Sequence, residues 1–350
     1  MNLVVLTKQF GNYTGATIST IQLLKRINST FDNVTVITLR KDKTEIKNVN
    51  VIVVKNYIAL VKTLRRYKNV IGYSDDHLGF LFNLAGIKYI HTYHGNWPDA
   101  RKLNLEMFIK SFYFMPLYSL TIKKAYKVIS VSKYMQERFV SSLNPSGKII
   151  YNGVKQKTQL IDTSLKSVKN SRPNFLMVGN IDARKYGKSI KIFNELKEKL
   201  FDGTIDIYGA LLDKTLVSKL NTFDFINIKG VKDEINYNEY DGLICTSASE
   251  NLPVSIIESL ISKVPVISSN VGGIPEIVIN NKTGYLIDVN NFKKFAEVIL
   301  NYHKLNINDK YVNKIKQDFD WDTSSQLYKN IFENLGRKQN ESNYSRPNAR

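Results

Sequence analysis

Short apolar runs alternate with amphipathic stretches along the whole chain, and they do so in two successive series. The first places strand-like runs at 3–7, 34–38, 51–54, 70–73, 89–92, 128–131 and 149–150, with helical stretches between them, such as 16–27 and 60–67. The second places them at 175–178, 205–208, 226–228, 242–246, 264–268 and 284–287. Parallel strands need crossover connections, usually helical, and the helices then cover both faces of the sheet. Each series opens on a strand followed by a glycine-bearing loop, with Gly11 and Gly15 in the first and Gly179 and Gly187 in the second. The pattern predicts an α/β chain of two facing, Rossmann-like, doubly wound domains, with a deep interdomain cleft at the carboxyl ends of their strands. The expected domains are 1–165 and 172–312, joined by a polar, lysine-rich stretch over 155–172. Residues 336–350 have almost no apolar content and are expected to be disordered. The aspartates of Asp318-Phe-Asp-Trp-Asp322 read as a metal triplet or as a helix entry. The amphipathic run Leu327, Tyr328, Ile331 and Phe332 favours helix entry, with Asp320 or Asp322 as N-cap.

Bulk properties narrow the class. A hydrophobic content of 43% and a charged content of 23% are those of a soluble globular protein. The N-terminus enters a strand without the basic and apolar segments of a signal peptide, and no apolar stretch approaches the roughly 20 residues of a membrane span. The single cysteine, Cys245, sits in an apolar strand as a small core residue. These features predict a cytoplasmic chain. Of the net charge of +19, residues 1–170 carry 26 Lys+Arg against 9 Asp+Glu (+17), and the rest carry 24 against 22 (+2). A basic first half predicts an anionic partner: a membrane surface, a polyanionic polymer or nucleic acid. Within it, 101–127 mixes Arg101, Lys102, Lys110, Lys123, Lys124 and Lys127 with many aromatics. The segment reads either as a helix lying in a membrane interface, peripheral at the inner face of the cell membrane, or as an interior helix with its aromatics in the core. Pro116 should kink or divide it.

The most chemically informative residues are Glu250 and Glu258, eight positions apart. A strand runs into the polar turn Ser247-Ala-Ser-Glu-Asn-Leu252, and a helix begins around Pro253, a residue suited to a first turn. Amides and dipole at such a start favour an anion, above all phosphate. A nucleotide-sugar fits, with its diphosphate at the helix start, its sugar near one carboxylate and its ribose near the other. In Gly179-Asn-Ile-Asp-Ala-Arg-Lys-Tyr-Gly187, backbone amides with Arg184 or Lys185 suit a phosphate; the same run also reads as a plain β–α turn. His94 ends a strand before Gly95, where an imidazole suits a sugar hydroxyl or a proton transfer. His77 follows another strand and is a further candidate for the cleft, whereas His91 lies mid-strand and reads as structural. No spacing suits a metal.

Taken together these motifs resemble the retaining glycosyltransferases of family 4, the glycosyl transferases group 1, which have the GT-B fold. The likeness runs from residue 2 to about 335. It rests on the glycine loop 11–15, His94-Gly95, Ile129-Ser-Val-Ser132, Ile150-Tyr-Asn-Gly-Val154, Val178-Gly179 with Arg184-Lys185, the block from Ser247 to Glu258, Gly272-Gly-Ile-Pro-Glu276 and Gly284. The resemblance implies that Glu258 holds the donor ribose. Glu250, with the amides of Asn251 and Leu252, holds the donor sugar and diphosphate. Lys185 stabilises the departing diphosphate, His94 contacts the transferred sugar, and Gly15, Asn180 and Arg184 complete the donor side. It places Tyr13, His77 and Asn96 on the acceptor side, and a C-terminal helix near 315–335 back on the first domain. No metal and no cofactor are implied. Asn180 stands where the family often has arginine, and Asn-Leu-Pro replaces the common Gly-Phe-Gly after the first glutamate. Donor identity therefore does not carry over.

The expected activity is transfer of a sugar, with retention, from a UDP-hexose or UDP-N-acetylhexosamine to a glycan or glycolipid acceptor in bacterial polysaccharide, glycolipid or teichoic-acid biosynthesis. An epimerase or phosphorylase on the same fold is the enzymatic alternative. A nucleic-acid-binding protein is the alternative of another class, and it leaves the glutamates of the second domain unexplained.

Overall fold

The structure, a computed structural model, describes residues 1–154, 172–232 and 234–344. The expected linker at 155–172 lies almost wholly outside them. The chain divides into two compact units, Met1–Gly153 with Phe319–Arg350, and Val154–Asp318.

In the first unit, seven strands form one sheet: β1 (Asn2–Phe10), β2 (Asn33–Lys41), β3 (Val49–Val53), β4 (Val70–Ser74), β5 (Tyr89–Tyr93), β6 (Lys127–Ser130) and β7 (Lys148–Ile149). Their order is β3-β2-β1-β4-β5-β6-β7, with every pairing parallel. Alternation along β1 decides which face each residue takes. Leu3 and Val5 join Ile21 and Leu24 of α1 (Gly15–Ile27), whereas Val4 and Leu6 join Leu60 and Leu64 of α2 (Tyr57–Leu64). The sheet is thus buried on both sides, and its strands read as continuous apolar runs. β1 and β2 run three residues beyond the expected ends, because Gln9 pairs with Arg40 and Phe10 with Lys41. A further contribution to the α1 side of this sheet comes late in the chain. Helix α7 (Trp321–Tyr344) sends Tyr328, Ile331, Phe332 and Leu335 into the same core as Leu3 and Val5.

The long helix α3 (Leu105–Lys124) crosses Pro116 without dividing, so of the two expectations, a kink or a division, the division does not occur. The carbonyl that proline leaves without a donor belongs to Phe112, a residue on the solvent side where water can satisfy it. The expectation of disorder from 336 onward is corrected for 336–344, which continue α7, while 345–350 lie outside the described residues. Extension of an existing helix through Arg337, Lys338, Gln339 and Glu341 is easy, since these are good helix formers and nucleation is already complete. Asp320 caps the entry, its carboxylate accepting the Thr323 amide at 2.7 Å.

The second unit holds β8 (Asn174–Val178), β9 (Thr204–Tyr208), β10 (Ile226–Gly230), β11 (Gly242–Cys245), β12 (Val266–Ser269) and β13 (Gly284–Ile287), in the parallel order β10-β9-β8-β11-β12-β13. Ile192, Phe193 and Leu196 of α4 (Ser189–Glu198) pack on one face of it, beside Phe295, Ala296 and Ile299 of α6 (Phe292–Leu300). Between them in sequence lies α5 (Val254–Ile261). In both sheets the strand order reverses once, at β1/β4 and at β8/β11. Ligands of open α/β sheets bind outside the carboxyl ends of strands at such points.

Candidate active site

At the switch point of the second sheet, the loops after β8 and β11 meet. The loop after β11 is tied down by backbone: the Ala248 amide donates to the Arg184 carbonyl at 2.8 Å, and the Gly273 amide to the Asn251 carbonyl at 2.8 Å. The Thr246 hydroxyl donates to the Lys185 carbonyl at 3.0 Å. These bonds carry Glu250 to the two cations of the preceding loop. Its Oε1 lies 3.2 Å from the Arg184 guanidinium and 3.5 Å from Lys185 Nζ, and accepts the Ser247 hydroxyl at 2.9 Å. Arg184 also donates to the Ser249 carbonyl at 3.0 Å.

Glu250 is only 8% exposed. Burial alone would raise its carboxyl; Lys185 and Arg184, with hydrogen bonds from Ser247 and Arg184, outweigh that and hold it below the usual carboxylate range. The site therefore keeps a buried anion between two cations.

Two glycines make this approach possible. Gly179 adopts φ +143°, and a side chain there would strike the Lys185 methylenes and ammonium at 2.6 Å. Gly272, at φ +59°, faces the Glu250 carbonyl so closely that a Cβ would sit 1.8 Å from the oxygen. Both are backbone positions that an L side chain avoids.

Pro253 is the N-cap of α5, with extended backbone, rather than a residue of its first turn. A proline offers no side-chain acceptor, so α5 starts without a side-chain cap. Asn251 and Leu252 are partly exposed just before this start. Glu258, one turn further along, accepts the Tyr237 hydroxyl at 2.8 Å. Burial first, and then Glu258 beside it, push the Tyr237 phenol far above its ordinary value, so it remains a donor. The Asn180 carboxamide oxygen accepts the Ala210 amide at 3.2 Å, which ties the loop after β9 to the loop after β8. Arg184, Lys185, Glu250 and their neighbours are thus one cluster, with Glu258 and Asn180 on adjoining elements.

In the first unit, the expected residues distribute over several loops. His94 follows β5, and its Nδ1 lies 3.4 Å from the Asn152 side chain. Burial lowers it to about 4, so the imidazole is neutral at neutral pH. Asn96 opens the short helix Trp97–Ala100. Tyr13 lies under the Arg40 guanidinium, 5.0 Å from its ring centre. Gly15 opens α1 in open space, where a Cβ would meet nothing within 4 Å, and the Thr14–Thr17 capping box spans it. His77, expected on the acceptor side, is 3% exposed, with Tyr113, Phe114 and Tyr118 around its ring at 5.0–5.9 Å. Aromatic residues of α3, distant in sequence, supply that enclosure. His91 is structural as read, bonded through Nδ1 to the Ser74 hydroxyl at 2.9 Å.

Sequence reading passed over Ser247, Tyr237 and the pair Asp75–Asp76. Ser247 stands three residues before Glu250, a reach that a serine in a turn commonly spans. Tyr237 carried no local signal. Asp75 follows β4 at the first switch point and is 4% exposed, with one oxygen accepting the Thr20 hydroxyl at 2.6 Å. Burial raises Asp75 to about 6 and, helped by Asp75, Asp76 to about 7. Among the described residues, no group of three or more His, Cys, Asp or Glu is placed to hold a metal.

Comparison with known proteins gives the family and the fold. A family model described as Glycosyl transferases group 1 matches residues 161–318, and one described as Glycosyltransferase Family 4 matches residues 13–157. An uncharacterized glycosyltransferase of Methanocaldococcus jannaschii is 27% identical over 73% of this chain and 71% of its own length. The capsular polysaccharide biosynthesis glycosyltransferase CapM of Staphylococcus aureus is 27% identical over 57% of this chain and 58% of its own. In three dimensions the chain resembles the crystal structure of Anabaena HepE in complex with UDP-glucose, with a TM-score of 0.76 and 18% identity over 95% of this chain and 100% of that one. With its parallel sheets of seven and six strands, the chain belongs to the glycosyl transferases group 1, the family 4 glycosyltransferases, and has their GT-B fold.

Proposed function

We propose that this chain transfers a sugar, with retained anomeric configuration, from a UDP-sugar (a hexose or N-acetylhexosamine) to a hydroxyl of a glycan or glycolipid acceptor in bacterial polysaccharide assembly. The observation that carries the reading is the buried Glu250 carboxylate held between Arg184 and Lys185 beside the uncapped start of α5. The polysaccharide role of CapM and the UDP-glucose bound by HepE support it.

The hard step is departure of the nucleoside diphosphate, on which negative charge accumulates. Lys185, Arg184 and the first amides of α5 are oriented donors, and donors fixed in place before the reaction need no reorganisation as that charge develops. Glu250 accepts sugar hydroxyls and keeps both cations in position. Glu258, oriented by Tyr237, accepts the ribose hydroxyls. His94, neutral, hydrogen-bonds the transferred sugar, and Tyr13 and Asn96 serve the acceptor side. In this reading the chain's own cations and amides meet the charge, without a metal or another cofactor. Retention follows from front-face attack guided by the leaving group, which needs no protein nucleophile.

Titration calorimetry of UDP and UDP-glucose tests the assignment. Glu258→Ala should weaken both about tenfold to a hundredfold, the range expected for a hydrogen bond to a charged group, with the fold intact by circular dichroism. Equal affinity in wild type and variant removes Glu258 from the ribose. Wild-type consumption of UDP-glucose that depends on inorganic phosphate, or that yields an epimer without acceptor, overturns the transferase reading.

A further inference from the structure

We propose that the outer face of α3 is a membrane-docking face whose partner is the surface of an anionic lipid bilayer. The helix carries large apolar side chains on two opposite faces. Its inner face, with Ser111, Thr121 and Ile122 buried and Phe114 and Tyr118 packed beside them, lies against the first unit. On the opposite side Leu105 is 72% exposed, Phe108 47%, Ile109 60%, Phe112 69%, Tyr113 51% and Leu120 39%. At 100° per residue these six fall on one stripe, roughly 22 Å long at 1.5 Å per residue.

A core-facing helix of this unit would be expected to turn polar residues to water on that side, as amphipathic helices do. A contiguous solvent-facing stripe of large apolar side chains instead marks an interaction surface. It continues onto α2, where Tyr57, near enough to act electrostatically on Tyr113, is 41% exposed and Ile58 is 71% exposed.

Charge selects the occupant. Arg101 and Lys102 precede the helix, Lys123 and Lys124 end it, and Lys8 is near enough to act electrostatically on Tyr113. The one acidic residue of α3, Glu106, is paired with Lys110 at 2.5 Å. An apolar stripe bordered by exposed cations fits a bilayer interface carrying negative headgroups, with aromatic side chains at the headgroup level. Among the described residues no helix is long and apolar enough to cross a membrane, so the geometry is that of a helix lying in the surface. The bilayer assignment is independent of the donor assignment, since none of these residues belongs to the Glu250 cluster.

Flotation of the full chain with vesicles of phosphatidylglycerol and phosphatidylcholine, against vesicles of phosphatidylcholine alone, tests it. Wild type is expected to float with the anionic vesicles, less so at high salt, and weakly with the neutral ones. The variant Ile109→Glu/Phe112→Glu changes two solvent-facing positions and should lower the partition roughly tenfold or more while leaving UDP affinity unchanged. Lys123→Glu/Lys124→Glu should weaken binding and reduce its salt dependence. Three results overturn the proposal: no wild-type flotation with anionic vesicles, equal flotation of the Ile109/Phe112 variant, or a wild-type dimer in sedimentation velocity that the variant dissociates without any vesicle binding.

Discussion

Burial of charge decides what single residues do in this protein. Glu250 is buried yet stays ionised, because two cations and a serine hydroxyl replace the water it has lost. Asp75 is buried beside Asp76 with one hydroxyl donor, and its carboxyl rises to about 6 from an ordinary 3.8. Between those values the folded chain holds a proton that the unfolded chain has released. Stability therefore falls as pH rises through this window, and the deficit is complete above it. Asp75→Asn removes the share of that dependence due to Asp75 and leaves the share of Asp76, whose carboxyl is also raised, to about 7. It should raise unfolding free energy by about 1–2 kcal/mol near pH 8 and change it little near pH 4, as measured by urea denaturation at both pH values. Equal effects at both would show that Asp75 is not a proton-linked destabiliser. Glu250 was legible in the sequence from its turn and the helix after it. Its partners Arg184 and Lys185 were legible only as candidates, since a span of 65 or 66 residues sets no distance until β8 and β11 pair.

Loops and helices show a second kind of constraint. The turn after β12 fits only because Gly272 lacks a side chain opposite the Glu250 carbonyl. Gly272→Ala adds both a clash and an unfavourable φ. It should destabilise the second unit by about 1–3 kcal/mol and weaken UDP binding, measured by denaturation and calorimetry together. A normal UDP affinity would show that the loop after β11 does not depend on this packing. Helix α3 shows where local reading stops. Its sequence admitted an interior helix or an interfacial one, and the folded helix buries one face and leaves large apolar side chains exposed on the other. Periodicity alone could not separate them, because large apolar residues on two opposite faces give no single preferred face. Likewise Pro116 read as a kink or a division, and the helix continues because the freed carbonyl lies on the side open to water.

At the scale of the whole molecule, the last helix completes a core begun by the first strand. Trp321 is 7% exposed, with its Cα 2.5 Å from where a Cβ on Gly153 would lie. Tyr328 shares a hydroxyl contact of 2.9 Å with Thr92, which accepts the Tyr73 hydroxyl at 3.0 Å. Each buried aromatic here is worth about 1.5–3 kcal/mol, so deleting 319–350 should abolish the cooperative unfolding of the first unit. Differential scanning calorimetry of the truncated chain reads this directly, and an unchanged set of transitions would refute it. By itself the sequence determined the class of fold, the thirteen strands of the described residues and the glutamate turn, because hydrophobic period, turn residues and helix starts are local and the central strands are covered on both faces. Only the tertiary structure decided that Glu250 sits between Arg184 and Lys185, that His77 is enclosed, that Tyr237 orients Glu258 and that α3 leaves an apolar stripe in water. Those outcomes depend on strand order and crossover packing, which bring together residues far apart in the chain and which no local pattern encodes.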